Sequence, residues 1–396
     1  MKRTHPGSAG EVFVAFLRLG VTSFGGPIAH LGYFREAFVE RRKWLSETAY
    51  AELVALCQFL PGPASSQVGM AIGLQRAGWL GLLAAWSAFT LPSAIVLVAF
   101  AYGATSLTGV VGSGWIRGFM AAAVAVVAVA VIGMARTLTP DARRATIAGL
   151  ALVGVLLVPH PLAQVAAIVV AGLIGLVWLR EPAVADDTAF SVRIGRGTAI
   201  ACLASLAALL VGLPLLVALT GDPTLRLADI FTRAGSLVFG GGHVVLPLLE
   251  AETVPTGLVA PDAFLAGYGA AQAVPGPLFT FAAYLGAIMQ SGPSGLLGAA
   301  IALVAIFIPS VLLVVGTLPF WSLLRGNRLA RRALMGVNAG VVGILAAALY
   351  DPVFTEGVTS VRSFCVVVAA FIALIAWKAP PWAIVIGAGL IGWLVL

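Results

Sequence analysis

The chain repeats itself, and that repeat limits its possible folds more than any other feature. Phe16-x-Arg18-x-Gly20-x-x-x-Phe24-Gly25-Gly26 returns 215 residues later as Phe231-x-Arg233-x-Gly235-x-x-x-Phe239-Gly240-Gly241. Gln58-x-x-Pro61-Gly62-Pro63 returns at an offset of 214 as Gln272-x-x-Pro275-Gly276-Pro277. Gly78-x-x-Gly81 returns as Gly292-x-x-Gly295, and Leu91-Pro92-Ser93 as Ile308-Pro309-Ser310. Matches in one order at a near-constant offset mean two homologous halves.

The solvent of those halves follows from composition. Of 396 residues, 60% are hydrophobic and 10% charged. A water-facing domain carries about 25% charged residues, so lipid is the main solvent here. This excludes a soluble enzyme, a nucleic-acid module and a secreted disulfide scaffold. The net charge of +7 then reads as basic loops at a cytoplasmic membrane face rather than a nucleic-acid footprint. Cys57, Cys202 and Cys365 lie far apart in apolar stretches and read as small buried hydrophobes. No cleavage pattern follows the short polar N-terminus, so the first apolar segment reads as part of the mature protein.

Each half offers six apolar segments. In the first they run roughly 11–31, 48–75, 79–106, 115–136, 143–158 and 161–180. In the second they run roughly 226–247, 263–290, 294–322, 330–350, 361–376 and 380–396, with a connector near 198–219. An even number per half plus one connector turns the second half over. The expected fold class is an all-α polytopic membrane protein, with two six-segment halves in an inverted-topology repeat and broken or re-entrant helices. The expected division is 1–180 for the N-terminal repeat, 181–225 for a polar linker plus connecting helix, and 226–396 for the C-terminal repeat. Basic residues in the 136–144, 180–196 and 325–332 loops place the N-terminus and the 181–197 linker in the cytoplasm and the C-terminus outside. The Arg35–Lys43 cluster would land outside if 11–31 spans fully, and that conflict disappears if 11–31 and 48–75 each enter and return on one side, the favoured reading. Thirteen full spans are the alternative.

Glycine and proline at matching places in both halves break helices where backbone is tolerated only beside protein or a cavity. Gly25, Gly26, Pro61, Gly62 and Pro63, with Gly240, Gly241, Gly242, Pro275, Gly276 and Pro277, therefore read as the backbone of a substrate site. A helix resuming after Pro63 or Pro277 points N–H groups and the positive end of its dipole at an anion. Ser65, Ser66 and Thr280 add hydroxyls, and Gln58 and Gln272 add neutral donors. Arg18 and Arg233 stand at equivalent positions, and an arginine at membrane depth must meet an anion, a cavity or the interface. The alternatives are kinked packing helices and interfacial arginines. Arg35, Glu36, Glu40 and Arg42 form an amphipathic basic loop that either sets topology or gathers anions and handles protons. His243 is either a proton-linked group or a buried structural histidine. No catalytic motif, metal-ligand spacing or cofactor fingerprint stands out, so no catalytic residue, no metal and no cofactor is expected. Few carboxylates lie at membrane depth, which points away from a cation carrier and toward a small oxyanion. A passive anion channel and an intramembrane enzyme are the rival classes.

Phe24-Gly25-Gly26-Pro27, Tyr33-Phe34-Arg35, Arg42-x-Trp44-Leu45-Ser46 and Leu56-Cys57-Gln58-x-Leu60-Pro61-Gly62-Pro63 resemble the long, two-domain form of the chromate ion transporter family. Gly235-Ser236-x-x-Phe239-Gly240-Gly241-Gly242, Pro247-Leu248 and Ala271-Gln272-Ala273-x-Pro275-Gly276-Pro277 carry the likeness through the second half. The resemblance implies a multi-pass inner-membrane carrier, not an enzyme, that exports chromate and confers chromate resistance, with sulfate as a competing dianion. A homodimer is one option, and no nucleic acid is implied. The second half departs from the pattern, since 251–262 lacks the basic residues and tryptophan found around Trp44.

Overall fold

The computed structural model describes residues 7–24, 26–111, 114–158, 161–180, 194–239, 242–321 and 327–396. Gly25, Gly240, Gly241 and most of the polar linker, including Asp186, Asp187 and Arg193, lie outside the described residues. All regular structure among the described residues is helical.

The first half opens with α1 (Ala9–Thr22), whose N-cap Ser8 accepts from the Glu11 N–H. After the first break come α2 (Gly26–Arg35) and a π-helical turn, Glu36–Arg41. Ser46 caps α3 (Glu47–Phe59), which stops at Pro61. Then α4 (Ala64–Val111) runs on through a kink at Ala77 and Gly78, where φ is −142° and +66°. At 1.5 Å per residue the 14-residue α1 is about 21 Å long, short of a ~30 Å hydrocarbon core. The limbs α2, α3 and 64–76 are as short or shorter if the π turn is set aside.

Their ends show that they turn back. Arg76, at the end of the first limb of α4, pairs with Glu11 at 3.0 Å, and its guanidinium lies 4.8 Å over the Trp44 ring. The Gly7 N–H also donates to the Arg76 carbonyl at 3.0 Å. The start of α1, the loop after α2 and the end of the 64–76 limb thus share one end of the bundle. The Arg35–Lys43 cluster sits at that end, as the re-entrant reading requires.

The connector α8 (Arg196–Thr220) carries the chain across. Beside its first turns, Ile194 and Cys202 pack on the cluster of Met70, Leu74, Leu82 and Val315 near the α4 kink. Its last turn ends at Gly221 in the left-handed region, and Asp222 and Pro223 start α9 (Pro223–Leu237). Pro223 lies against Gly292, and the Gln290 N–H donates to the Leu258 carbonyl at 3.0 Å. The limbs α10 (Val245–Thr253), α11 (Pro261–Ala273) and α12 (Phe281–Ile288) therefore turn about the opposite end. Gly78 and its counterpart Gly292 occupy opposite ends, so the halves are inverted.

The outer helices cross between halves. α5 (Gly114–Leu138) packs on α15 (Val361–Ile375) and α16 (Pro381–Val395), while α14 (Arg328–Ala348) packs on α6 (Ala142–Leu157) and α7 (Pro161–Trp178). A Cβ on Gly118 would collide with the Ala388 carbonyl, and one on Gly336 with the Ala171 carbonyl. Small residues thus let backbones touch where lipid gives no hydrophobic drive between helices. The remaining long helix, α13 (Gly295–Thr317), is the partner of α4 and carries Pro309 as α4 carries Pro92.

Candidate functional site

Four interrupted helices meet at the centre, two from each half, and they meet crosswise. The Gly62 N–H donates to the Val238 carbonyl at 2.7 Å. Its counterpart, the Gly276 N–H, donates to the Ser23 carbonyl at 2.9 Å. Ser23 and Val238 are themselves equivalent, 215 residues apart, so the two bonds are related by the inverted repeat. Each Pro-Gly-Pro loop is latched onto the other half's Phe-Gly-Gly break. Both glycines require positive φ, +118° at Gly62 and +102° at Gly276.

The long helices close over these loops in the same crossed manner. A Cβ on Gly62 would lie 2.5 Å from Ser310 Oγ, and one on Gly276 would collide with Ser93 Oγ. Pro27, after the first break, reaches Gly242, after the second. Around this point several buried polar atoms have no hydrogen-bond partner: Ser23 Oγ, Ser66 Oγ, Gln67 Oε1, Thr90 Oγ1, Gln272 Nε2 and Ser310 Oγ. Ser23, Ser66, Gln67, Thr90 and Ser310 are at most 3% exposed. Buried polar groups are nearly always paired, so such a gathering marks a place built for a polar guest or ordered water.

The two halves differ in what they offer. After Pro63 the α4 limb starts at once, with Ser65 and Ser66 in its first turn and the Gln67 N–H already bonded to the Pro63 carbonyl at 2.9 Å. After Pro277 a single 3-10 turn, Leu278–Thr280, precedes α12. The Thr280 hydroxyl donates back to the Pro277 carbonyl at 2.8 Å, so its proton is not offered to a guest. The electropositive helix end at the centre belongs to the first half.

The arginines depart from the sequence expectation. Arg18 lies on the exposed face of α1 with Val14, Leu17 and Val21, turned away from the Val12, Phe16 and Leu19 face that packs inward. Arg233 is half-buried but clamped by Asp229 at 2.8 Å and Glu252 at 2.7 Å. Two carboxylates more than cancel its charge, which disfavours an anion beside it. Gln58 also differs from its repeat partner: it is exposed on α3, whereas Gln272 is half-buried with its Nε2 unpaired. Placing these side chains needs helix phase and neighbours, which the repeat spacing did not carry.

Among the entry candidates, Arg35 is bound by Glu40 and Glu47, each at 2.6 Å, and Glu36 pairs with Arg41. Glu47 and then Glu40 hold the Arg35 guanidinium above its usual pKa. Arg42 stacks over Trp44 at 5.3 Å. Arg35, Arg41, Arg42 and Lys43 against Glu36, Glu40 and Glu47 leave the loop one positive charge over, in an exposed lattice whose ion pairs are each worth little. His243 shares a 2.7 Å hydrogen bond with Tyr268 Oη and is half-buried. Ser23, His30, Gln67, Thr90, Ser93 and Ser310 escaped sequence reasoning. Only the Pro-Ser pairs, 92–93 and 309–310, carried a repeat signal that could have found two of them.

A separate cavity of about 370 Å³, lined by Asp141, Arg143, Arg144, Leu179, Arg180 and Met335, opens at the far ends of α6 and α7. It lies away from the breaks and holds no residue of the convergence. No group of three or more His, Cys, Asp or Glu suited to a metal occurs among the described residues.

Comparison with known proteins agrees with this architecture. The chromate transporter family model matches twice, over residues 10–176 and 225–393. The chromate transport protein of Pseudomonas aeruginosa is 29% identical, with 98% of this chain and 93% of that protein covered. The probable chromate transport protein of Synechococcus elongatus is 28% identical over 92% of this chain and 88% of its own length. The chromate transport protein of Cupriavidus metallidurans is 26% identical over 86% and 81%. No solved structure matches the chain. With both inverted halves covered by one family model, the chain belongs to the chromate transporter family, whose members are multi-pass membrane proteins.

Proposed function

We propose that this chain is a secondary active carrier that exports chromate across the inner membrane and so confers chromate resistance, with sulfate as a competing dianion. The observation that carries the reading is the crossed latch, in which Gly62 meets Val238 and Gly276 meets Ser23. A binding place shared by two inverted halves, each contributing broken helices, is what alternating access needs. The guest would lie against the first turn of the α4 limb, where the Ser65 and Ser66 N–H groups and the Ser66 hydroxyl favour an oxyanion. Gly26, Pro61, Pro63, Gly242, Gln272, Pro275 and Pro277 would frame it, and Ser310 would add a donor from the second half. Gly25, Gly240 and Gly241 belong to the same loops by sequence.

The repeat units are taken as 1–180 and 226–396, joined by 181–225. With the N-terminus and linker in the cytoplasm, an inside-negative potential favours exit of a dianion by about 2.3 kcal/mol per charge per 100 mV. Nothing in this scheme requires chemical conversion of the guest, so the chain acts as a carrier and not as an enzyme. Purified protein in liposomes, given an imposed potential, is expected to move chromate uphill and to lose that movement when the potential and pH gradients collapse. Flux that only follows the chromate gradient would replace the carrier with a passive channel.

A further inference from the structure

His30 stands on α2 just beyond the first break and is 1% exposed. Its ring joins two limbs. Nε2 lies 3.2 Å from the Ser23 carbonyl, and Nδ1 lies 3.3 Å from Ser65 Oγ. A carbonyl oxygen only accepts, so Nε2 carries the proton, and in the neutral ring Nδ1 is left as an acceptor. The Ser65 hydroxyl must then donate to Nδ1. That turns its proton toward the imidazole and away from the start of the α4 limb. The same Ser23 carbonyl accepts the Gly276 N–H of the latch. One imidazole is therefore in contact with the first-half helix end and with the acceptor that holds the second half.

Other titratable groups on the packed elements are engaged elsewhere. Glu11 of α1 pairs with Arg76 of α4 at the bundle end, and Arg18 lies on the outer face of α1. Arg35 of α2 is held by Glu40 and Glu47, and the Tyr50 hydroxyl of α3 donates to the Leu31 carbonyl at 2.6 Å. Glu52 and Cys57 of α3 are buried, and neither hydrogen-bonds the ring. Phe89 meets the ring edge-on at 5.3 Å.

Resting on the oxyanion reading above, we propose that His30 takes up one proton when the anion binds, and that the Ser65 hydroxyl is the group this proton turns. The proton adds to Nδ1, and Nδ1–H now donates to a lone pair of Ser65 Oγ. No other bond changes. The hydroxyl hydrogen is released to rotate toward the helix end, where it donates to an anion oxygen. The imidazolium adds a positive charge beside that oxygen. Both changes favour the anion, and by linkage the anion favours the proton to the same extent.

The experiment is calorimetric titration of chromate into the purified full chain, in buffers of different ionisation heat, which counts protons taken up per anion. Chromate itself binds a proton near neutrality, so the readout is the difference between wild type and His30→Gln at each pH. Wild type is expected to take up close to one more proton than His30→Gln, and Ser65→Ala should weaken acid-side affinity by several-fold. Equal proton uptake by wild type and a chromate-binding His30→Gln overturns the coupling role and leaves the oxyanion reading standing. Failure of wild type to bind either chromate or sulfate overturns both. In case His30→Gln does not fold, ¹⁵N spectra of histidine-labelled wild type give the same answer. The Nε2–H tautomer converts to imidazolium on adding chromate if the proposal holds, and stays neutral if it does not.

Discussion

Replacing Gly62 with alanine tests the crossed latch where the geometry is tightest. At φ +118° an L-residue carries strain of about 1–3 kcal/mol. The new methyl would lie 2.5 Å from Ser310 Oγ and 2.6 Å from Gln67 Nε2. Gln67 cannot swing away freely, because its Nε2 donates to the Pro61 carbonyl at 2.6 Å. Relieving the overlap adds about 1–3 kcal/mol. Together that is about 2–6 kcal/mol against the latched arrangement, or roughly 30-fold or more in its population. Gly221→Ala is the control, since Gly221 also has positive φ, +65°, but nothing lies within 4 Å of its Cβ position. It should lose only about 1–2 kcal/mol and no flux.

The decisive measurement is a double-mutant cycle with Ser310→Gly, read by melting in detergent and by chromate flux in vesicles. Removing the Ser310 hydroxymethyl makes room for the Gly62→Ala methyl. The pair should recover about 1–2 kcal/mol of stability, with the backbone strain remaining and flux still lowered by loss of the Ser310 donor. A coupling below about 0.5 kcal/mol would mean that the two residues do not meet, and would refute the crossed packing.

Arg233→Gln leaves Asp229 and Glu252 without their shared cation and should destabilise by up to about 3 kcal/mol in melting experiments, discounted for partial exposure. Arg18→Gln, on the outer face of α1, should shift stability by less than about 0.5 kcal/mol and leave chromate flux intact. Loss of flux in Arg18→Gln with normal folding would restore it as an anion ligand. The Asp222 carboxyl accepts from the Leu225 and Thr224 N–H groups, which hold its pKa below the usual value. Its capping contribution is therefore present above the ordinary carboxylate pKa and lost as pH falls through the lower folded value. Asp222→Ala should lower the melting temperature at neutral pH and flatten the acid limb, and an unchanged acid limb would count against the cap.

The amino-acid pattern carried the backbone of this fold and little of its side-chain detail. Repeated Phe-Gly-Gly and Pro-Gly-Pro motifs located the breaks, because glycine readily takes the positive φ found at Gly26, Gly62 and Gly276 and proline lacks the N–H a helix interior needs. Loop charge located the re-entrant turn, and Arg76 contacting both Glu11 and Trp44 gives it a physical form. The arginines were the least legible, because an arginine at membrane depth has more than one way to be satisfied. Arg233 found Asp229 four residues before it and Glu252 nineteen residues after it, and only the first of these pairings could be read from spacing. His30 and Ser65 are 35 residues apart and have no repeat equivalents as a pair, so periodicity was silent about them. Ser93 and Ser310 mark the repeat in the sequence, yet their contact with the opposite half's glycines is a property of the folded chain alone.

The exchange of outer helices, α5 onto α15 and α16 and α14 onto α6 and α7, means that neither half completes its own packing. Each is the other's scaffold. A gene severed between Arg180 and Ile194 should thus yield two polypeptides that are unstable apart yet assemble head-to-tail in one membrane, provided the second fragment still inserts upside down. The covalent tether would then be needed for insertion sense and stoichiometry, while the grip between the fragments is already written into their glycine-lined contacts.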